Sequence, residues 1–454
     1  MKSAPVGGVA GSSFPRHRSA ISALIIMVLL SALTGCRSGP TGQPENNTAG
    51  SPSATAGKCS GVRSTECRSV TLASGRQVRY AVLRPAGATA QSTGAVVADL
   101  GGPGISLFGM HWPGDALRQQ LPKQLQAAPL LLIEEPWVTA AYSSECKAAV
   151  TSLFRSVHVL ASSDASVGGS CKLYDQDQPW GWTPTTFAEA VKAILATEGL
   201  TLDGYLGLSF GGRRLTYLRD PAPKWAILVN PAPLDLPASE YLSGRVSALW
   251  RSVESNCPQC PDRQAGTRLI AQASKSLSAA QPAVPGRSVP LAGGDVAAAT
   301  LSLSYRDNAV MRAFFAALST PAKQADRELV GRLADGVWSR YGTDEISPAV
   351  LAYWAEVCPS YPGWPVTPPA DTLGAFLTEW HGPCTALTPE ARQRWTLGLD
   401  SKVATCVSML ADDPVVPVQS VRTWRRAGAQ VIQPAKGEHS DLAGAQGCAD
   451  RLKL

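Results

Sequence analysis

Asp203-Gly204-Tyr205-Leu206-Gly207-Leu208-Ser209-Phe210-Gly211-Gly212 reads as a short buried strand, Gly204 to Leu208, that runs through a glycine-flanked turn into a helical segment, Arg213 to Leu218. Gly-x-Ser-x-Gly in that setting holds a serine at the tip of a sharp strand-to-helix turn, its hydroxyl open to a substrate. Such a turn forces its central residue into a strained backbone conformation, so the residues two before and two after it must lack bulk, as Gly207 and Gly211 do. Gly212 adds room for the helix to pack on the strand. A chain with 41 glycines also produces this pattern by accident, so the remaining residues have to supply a nucleophile's partners.

Upstream, Gly94 to Leu100 is a continuous apolar run of the kind buried in a parallel sheet, and it feeds into Gly101-Gly102-Pro103-Gly104. Three glycines in four residues leave backbone N–H groups accessible, as an oxyanion site requires; a plain tight turn uses the same residues. Ser69–Leu72 and Val78–Leu83 alternate around Ser74-Gly75 as a half-exposed hairpin, and Ala128–Ile133 is a buried strand ending at Glu134-Glu135-Pro136-Trp137. Thr183–Leu200 is the clearest helix. Pro184 and Thr186 start it, Glu189 completes a capping box, Phe187, Val191, Ile194 and Leu195 form one face, and Gly199 stops it. Trp225–Val229 is the next strand, closed by Asn230-Pro231-Ala232-Pro233. Strand and helix alternating at this spacing predict an α/β fold with a mostly parallel central sheet.

From about Leu236 to Asp400 the pattern turns helical, with faces at Ala309–Leu318 and Glu328–Leu333 and breaks at Pro282–Gly294 and Ser360–Pro369. This predicts a largely helical lid. Its tryptophans (250, 338, 354, 364, 380 and 395) suit core packing first and an apolar pocket second. The sheet resumes at Lys402–Leu410, followed by Ala411-Asp412-Asp413-Pro414-Val415-Val416-Pro417, a helix Val418–Ala427, a last strand Gln430–Ile432, and Lys436-Gly437-Glu438-His439-Ser440.

At the N-terminus, Arg16 and Arg18 precede the apolar run Ala20–Leu33, which ends in Leu33-Thr34-Gly35-Cys36. The run falls short of the roughly 20 apolar residues of a membrane span, so it reads as an export signal that is removed. Leu-Thr-Gly-Cys resembles the bacterial lipobox, which implies cleavage before Cys36 and an acyl anchor on it. Residues 36–58 carry almost no large apolar side chain and read as a disordered tether. The expected organisation is a signal peptide at 1–35, the tether at 36–58, a core from 59–235 and 400–454, and a lid from 236–399. The expected location is the extracytoplasmic face of the cell membrane.

Of 11 cysteines, setting Cys36 aside leaves ten. An even remainder in an exported chain reads as disulfides, and proximity suggests Cys59–Cys67, Cys146–Cys171, Cys257–Cys260, Cys358–Cys384 and Cys406–Cys448. Cys257-Pro258-Gln259-Cys260 has no second pair or histidine cluster beside it, so no metal is expected there. A net charge of +6, with no basic blocks interleaved with aromatics, gives no support to a nucleic-acid partner.

A serine nucleophile needs a base within hydrogen-bond reach and a carboxylate to fix that base's tautomer. Of the five histidines, His17 lies in the signal, His111 and His158 precede the serine, His381 lies in the lid, and His439 follows the final strand in a glycine-containing loop. In the chain order serine, acid, histidine, His439 is the base candidate, and Asp413 competes with Asp412 for the acid.

These features together resemble the α/β-hydrolase serine peptidases that include proline iminopeptidase and the secreted actinobacterial tripeptidyl aminopeptidases. Gly101-Gly102-Pro103-Gly104 is similar to their His-Gly-Gly-Pro-Gly turn, Gly207-Leu208-Ser209-Phe210-Gly211-Gly212 to their Gly-x-Ser-Tyr-Gly-Gly elbow, and Asp413-Pro414-Val415-Val416-Pro417 to their Asp-Pro-Val-Thr-Pro loop. The last likeness selects Asp413 over Asp412. The resemblance implies an α/β-hydrolase fold in which Ser209 attacks, His439 is the base, Asp413 orients it, and the Gly102 and Phe210 amides hold the oxyanion. It departs in three places. Leu100 stands for a histidine, Phe210 for a tyrosine, and Glu134-Glu135-Pro136-Trp137-Val138-Thr139 for an Asp-x-Arg-Gly-x-Gly loop. The activity implied is that of an aminopeptidase cleaving short peptides through an acyl-enzyme, without metal or organic cofactor. A lid carboxylate (Glu240, Glu254, Glu345, Glu356 or Glu379) would then bind the substrate ammonium. The alternatives are an esterase or lipase with the same three residues, and a non-catalytic binding lipoprotein on the same scaffold.

Overall fold

The computed structural model describes residues 67–85, 93–108, 114–141, 143–161, 166–306, 308–320, 323–338, 346–367, 371–395, 398–434 and 439–454. The expected signal, lipidated Cys36, tether and Cys59 lie outside these residues, as do His17, His111 and Glu345. Eight strands form one sheet: β1 (Cys67–Thr71), β2 (Gln77–Leu83), β3 (Gly94–Asp99), β4 (Leu130–Ile133), β5 (Thr201–Leu208), β6 (Trp225–Val229), β7 (Ala404–Ser408) and β8 (Gln430–Ile432). Their spatial order is β1-β2-β4-β3-β5-β6-β7-β8. β2 pairs antiparallel with both of its neighbours, whereas β4 through β8 and β3 pair in parallel. That order and those directions are the α/β-hydrolase fold.

The strand residues alternate between two apolar layers, as a sheet covered by helices on both faces requires. Val97, Tyr205, Ala226, Leu228 and Val407 pack against Phe187, Val191 and Ile194 of the helix Pro184–Glu198 on one face. Val96, Leu206, Ile227 and Cys406 pack against Leu117, Leu121, Ala445 and Cys448 on the other. Glu189 does not cap the helix Pro184–Glu198. Thr183 accepts from the Thr186 amide, and the Thr186 hydroxyl accepts from the Thr183 amide, closing a capping box one turn nearer the N-terminus. Glu189 instead accepts from the Ala73 amide of the hairpin turn at 2.7 Å. The elbow helix also starts earlier than the sequence suggests, at Phe210, and continues as a 3-10 turn through Tyr217.

Between β6 and β7 the described chain is helical, from Ala238–Asn256 through Arg263–Ala280, Gly293–Leu303, Asn308–Ser319, Gln324–Trp338, Ala349–Ser360 and Thr372–Trp380 to Pro389–Gln393. Trp250, Trp338, Trp354 and Trp380 are buried among Phe314, Phe315 and Phe376, so most lid tryptophans build its core. Disulfides join Cys146–Cys171, Cys257–Cys260, Cys358–Cys384 and Cys406–Cys448, and Cys67 is also disulfide-bonded.

His381 belongs to this core. Its Nδ1 lies 2.6 Å from the Leu377 carbonyl, which only accepts, so Nδ1 carries the proton and Nε2 accepts from the Tyr353 hydroxyl at 2.9 Å. Burial lowers its pKa to about 4, against the pull of the Leu377 carbonyl and with help from the Arg245 guanidinium. A depressed imidazole gives stability that is present above its unfolded value near 6.5 and is lost as pH falls toward 4. The expected loss is about 3 kcal/mol between those limits. Urea unfolding with disulfides intact, run across this range, should show a flatter midpoint profile for His381→Gln than for the parent chain.

Candidate active site

All the turns that matter leave the sheet at the carboxyl ends of its strands. Ser209 follows β5 with φ 54° and ψ −125°, a conformation disfavoured for any residue with a side chain. It is pinned there: its amide donates to the Val229 carbonyl at 3.0 Å, and its carbonyl accepts from Ala232 at 3.0 Å. The glycines are required by close approach. A Cβ on Gly207 would stand 2.7 Å from Gly212 Cα, and one on Gly211 would stand 2.4 Å from Asp99 Oδ1. The Gly101–Gly104 turn packs directly on the elbow, since a Cβ on Gly101 would lie 2.6 Å from the Leu208 carbonyl oxygen and 3.1 Å from Ser209 Cβ.

Asp413, after β7, is 1 % exposed, whereas its neighbour Asp412 faces solvent. One Asp413 oxygen accepts from the Val415 and Val416 amides, each at 2.7 Å, and the other lies 2.8 Å from His439 Nδ1. Burial pushes this carboxyl up, but the His439 ring and the two amides outweigh it and hold the pKa below the usual carboxylate range. His439 is 5 % exposed, and its Nε2 is buried with no hydrogen-bond partner, so the Ser209 hydroxyl is not bonded to it in this structure.

Asn230 ties the two loops together. At φ 44° in the left-handed region, its side-chain amide donates to the His439 carbonyl at 2.8 Å, and its side-chain oxygen accepts from the Leu410 amide at 2.9 Å. Val229 holds the Ser209 amide and Asn230 holds the His439 carbonyl, so two consecutive residues of one strand end anchor both. His158 is placed elsewhere: it pairs with Asp295 at 2.7 Å inside the lid core.

The glycine turn has a cis Gly102–Pro103 bond and positive φ at Gly101, Gly102 and Gly104. Among the described residues the Gly102 and Phe210 amides enter no turn, loop or cap hydrogen bond. The departure at Glu134-Glu135 gains a structural account here. Glu134 accepts from the Leu107 and Phe108 amides and the Ser106 hydroxyl, and Glu135 accepts from the Gly104 amide at 2.8 Å. The two carboxylates therefore organise residues 104–108. Burial raises the Glu134 pKa against these donors.

Beneath the turn lies a group the sequence did not announce. Arg214, 2 % exposed, donates to Glu135 at 2.6 Å, to Glu356 at 2.8 and 2.9 Å, and to Asp99 at 3.2 Å. Asp99 also accepts from the Gly101 amide, and Glu356 from the Trp182 amide. Three carboxyls meet one guanidinium. Burial pushes Glu135 up to about 8 against the attraction of Arg214 and with the repulsion of Glu356, whose own pKa burial also raises.

The lid carboxylates are dispersed. Glu356 is consumed by Arg214 and Trp182, Glu240 pairs with Arg422 at 2.8 Å near the surface, Glu254 is exposed, and Glu379 is half-buried. Among the described residues no group of three or more His, Cys, Asp or Glu side chains could hold a metal ion.

No family model and no curated protein matches the chain. Solved structures do. A proline iminopeptidase-related protein of Thermus thermophilus aligns with 86% of this chain and 95% of its own, at 13% identity and TM-score 0.36. An esterase of Rhodococcus aligns with 81% of this chain and 90% of its own, at 15% identity and TM-score 0.29. A meta-cleavage product hydrolase of Pseudomonas fluorescens aligns with 85% and 95%, at 11% identity and TM-score 0.37. The fold assignment rests on the strand order and pairing themselves.

Proposed function

We propose that this chain is a serine hydrolase that cleaves short peptides or carboxylic esters through an acyl-enzyme. One observation carries the reading: Asp413 holds His439 by Nδ1 and leaves Nε2 buried and unpartnered, while the consecutive residues Val229 and Asn230 anchor the strained Ser209 turn and the His439 loop. In this reading Nδ1 is the protonated nitrogen, and the Nε2 lone pair takes the Ser209 proton as the hydroxyl attacks the substrate carbonyl. The Ser209–His439 hydrogen bond forms when substrate fills the site. The Gly102 and Phe210 amides receive the oxyanion, and His439 then protonates the departing amine or alcohol. Water, deprotonated by the same nitrogen, releases the acyl group from Ser209.

Export and anchoring through Cys36 belong to the same proposal and are supported by four disulfides among the described residues, which persist in an oxidising compartment. A strict aminopeptidase also needs a carboxylate for the substrate ammonium. Glu356 and Glu240 are already paired, which leaves Glu254 and Glu379 among the described candidates for that role. A fluorophosphonate should form an adduct that mass mapping assigns to Ser209 and that Ser209→Ala lacks, and aminoacyl anilides and short acyl esters should then be compared for turnover. An unlabelled Ser209 in the folded chain would defeat the enzyme reading and leave a binding protein.

A further inference from the structure

One lid side chain borders the histidine of the site and another the loop of its acid. The Tyr305 ring stands edge-on to His439 at 5.7 Å between centroids and is 46 % exposed. Arg245, on the helix Ala238–Asn256, is 8 % exposed and donates to the carbonyl of Val415, whose own amide donates to Asp413. Its electrostatic neighbours are Tyr305, Tyr241, Tyr353 and Asp413.

Arg245 is unlike the other buried arginines. Arg214 has three carboxylates, Arg287 has Asp295 and Asp335, and Arg213 has two carbonyls and the Tyr361 ring. Arg245 makes no ion pair among the described residues; its hydrogen-bond acceptors there, the Val415 carbonyl and the Tyr305 hydroxyl, are both neutral. A guanidinium cannot shed its proton, and a cation out of water is retained only where an anion or several acceptors meet it. The groups around it are neutral hydroxyls or an acid engaged elsewhere. Tyr353 gives its proton to His381, and Asp413 is committed to His439 and two amides. A planar, permanent cation that meets only neutral acceptors and is bonded to the loop of the catalytic acid fits an incoming carboxylate.

We infer that Arg245 receives a carboxylate carried by the substrate, close to the bond that is cut; this rests on the hydrolase reading above. The substrate class narrows to acyl compounds with a free carboxylate near the scissile carbonyl, such as short peptides cut near their C-terminus or half-esters of dicarboxylic acids.

The test compares the para-nitrophenyl half-ester of glutaric acid with para-nitrophenyl pentanoate, which has the same acyl length without the charge, using the full chain. The half-ester should be favoured in kcat/KM by on the order of 10- to 100-fold, the range of a hydrogen-bonded charge pair. In Arg245→Met the ratio should fall to near one, and Arg245→Lys should keep part of it. A merely structural role would slow both esters together and leave the ratio in place. In parallel, monomethyl glutarate and methyl pentanoate are titrated calorimetrically into the Ser209→Ala chain, with and without Arg245→Met. Tighter binding of monomethyl glutarate that depends on Arg245 supports the anion site even if neither ester is turned over, an outcome that would instead reject the hydrolase reading. A ratio near one in the parent chain, or a preference that survives Arg245→Met, overturns the inference, and the parent ratio decides even if the variant fails to fold.

Discussion

Asp413→Asn is expected to lower kcat by about 10⁴-fold while leaving the fold intact. The direction follows from which oxygen does what. One carboxylate oxygen accepts two backbone amides, from Val415 and Val416, and the other faces His439 Nδ1. An asparagine keeps its carbonyl oxygen on the two amides, because its NH₂ cannot accept from them. That leaves the NH₂ facing Nδ1, which must then accept. The imidazole is forced into the tautomer with its proton on Nε2, and a protonated Nε2 cannot take the Ser209 proton. The volume is unchanged and the Asn230 brace on the His439 carbonyl is untouched, so KM should move little. Steady-state kinetics on whichever ester or anilide the parent chain cleaves best gives the answer. A loss below about tenfold would mean that His439 does not act through Asp413.

The residues of this site were legible because each sits where the chain leaves a strand, and strand ends announce themselves. Gly207-Leu208-Ser209-Phe210-Gly211 and Asp413-Pro414 interrupt apolar runs, and the period-2 and continuous apolar patterns around them gave all eight strands to within a few residues. The cap of the helix Pro184–Glu198 was misjudged because a glutamate is the usual partner, whereas Thr186 was closer and Glu189 had another donor in the Ala73 amide. What stayed hidden depends on distant pairings. Asp99, Glu135, Arg214 and Glu356 are ordinary charged residues in sequence, and only the topology that sets β3, β4, the elbow helix and a lid helix side by side turns them into one buried group. Glu134-Glu135 read as the loss of a family loop, yet those carboxylates hold the turn that the loop flanks. Asn230 carried a weak signal, a residue tolerant of left-handed backbone at a strand end, but nothing in the sequence named its two partners.

Arg214→Met should be the most destabilising single change outside the apolar core, by about 3–5 kcal/mol, the usual result of removing one member of a buried ion cluster. Methionine preserves much of the stem packing and deletes every donor to Asp99, Glu135 and Glu356. Asp99 keeps the Gly101 amide, Glu135 keeps the Gly104 amide and Glu356 keeps the Trp182 amide, but no cation remains to offset their mutual repulsion. The pH dependence has a definite sign. Glu135 already has a folded pKa near 8, above its ordinary 4.5, so its contribution is fully present below 4.5 and is lost as pH rises through 8. Without the guanidinium more of the carboxyls hold protons in the folded state, so the folded state binds more protons than the unfolded one and the decline with pH steepens. The deficit of Arg214→Met should therefore be smaller near pH 5 than near pH 8. Adding Glu356→Gln to Arg214→Met should restore part of the lost stability, since it removes one stranded charge. Urea unfolding at both pH values measures all of this. A deficit that is small, or equal at the two pH values, would show that these carboxyls are not electrostatically bound to Arg214. The consequence reaches the chemistry, because Asp99 and Glu135 hold the amides of Gly101 and Gly104 on either side of Gly102, and a loosened turn no longer fixes the donor assigned to the oxyanion.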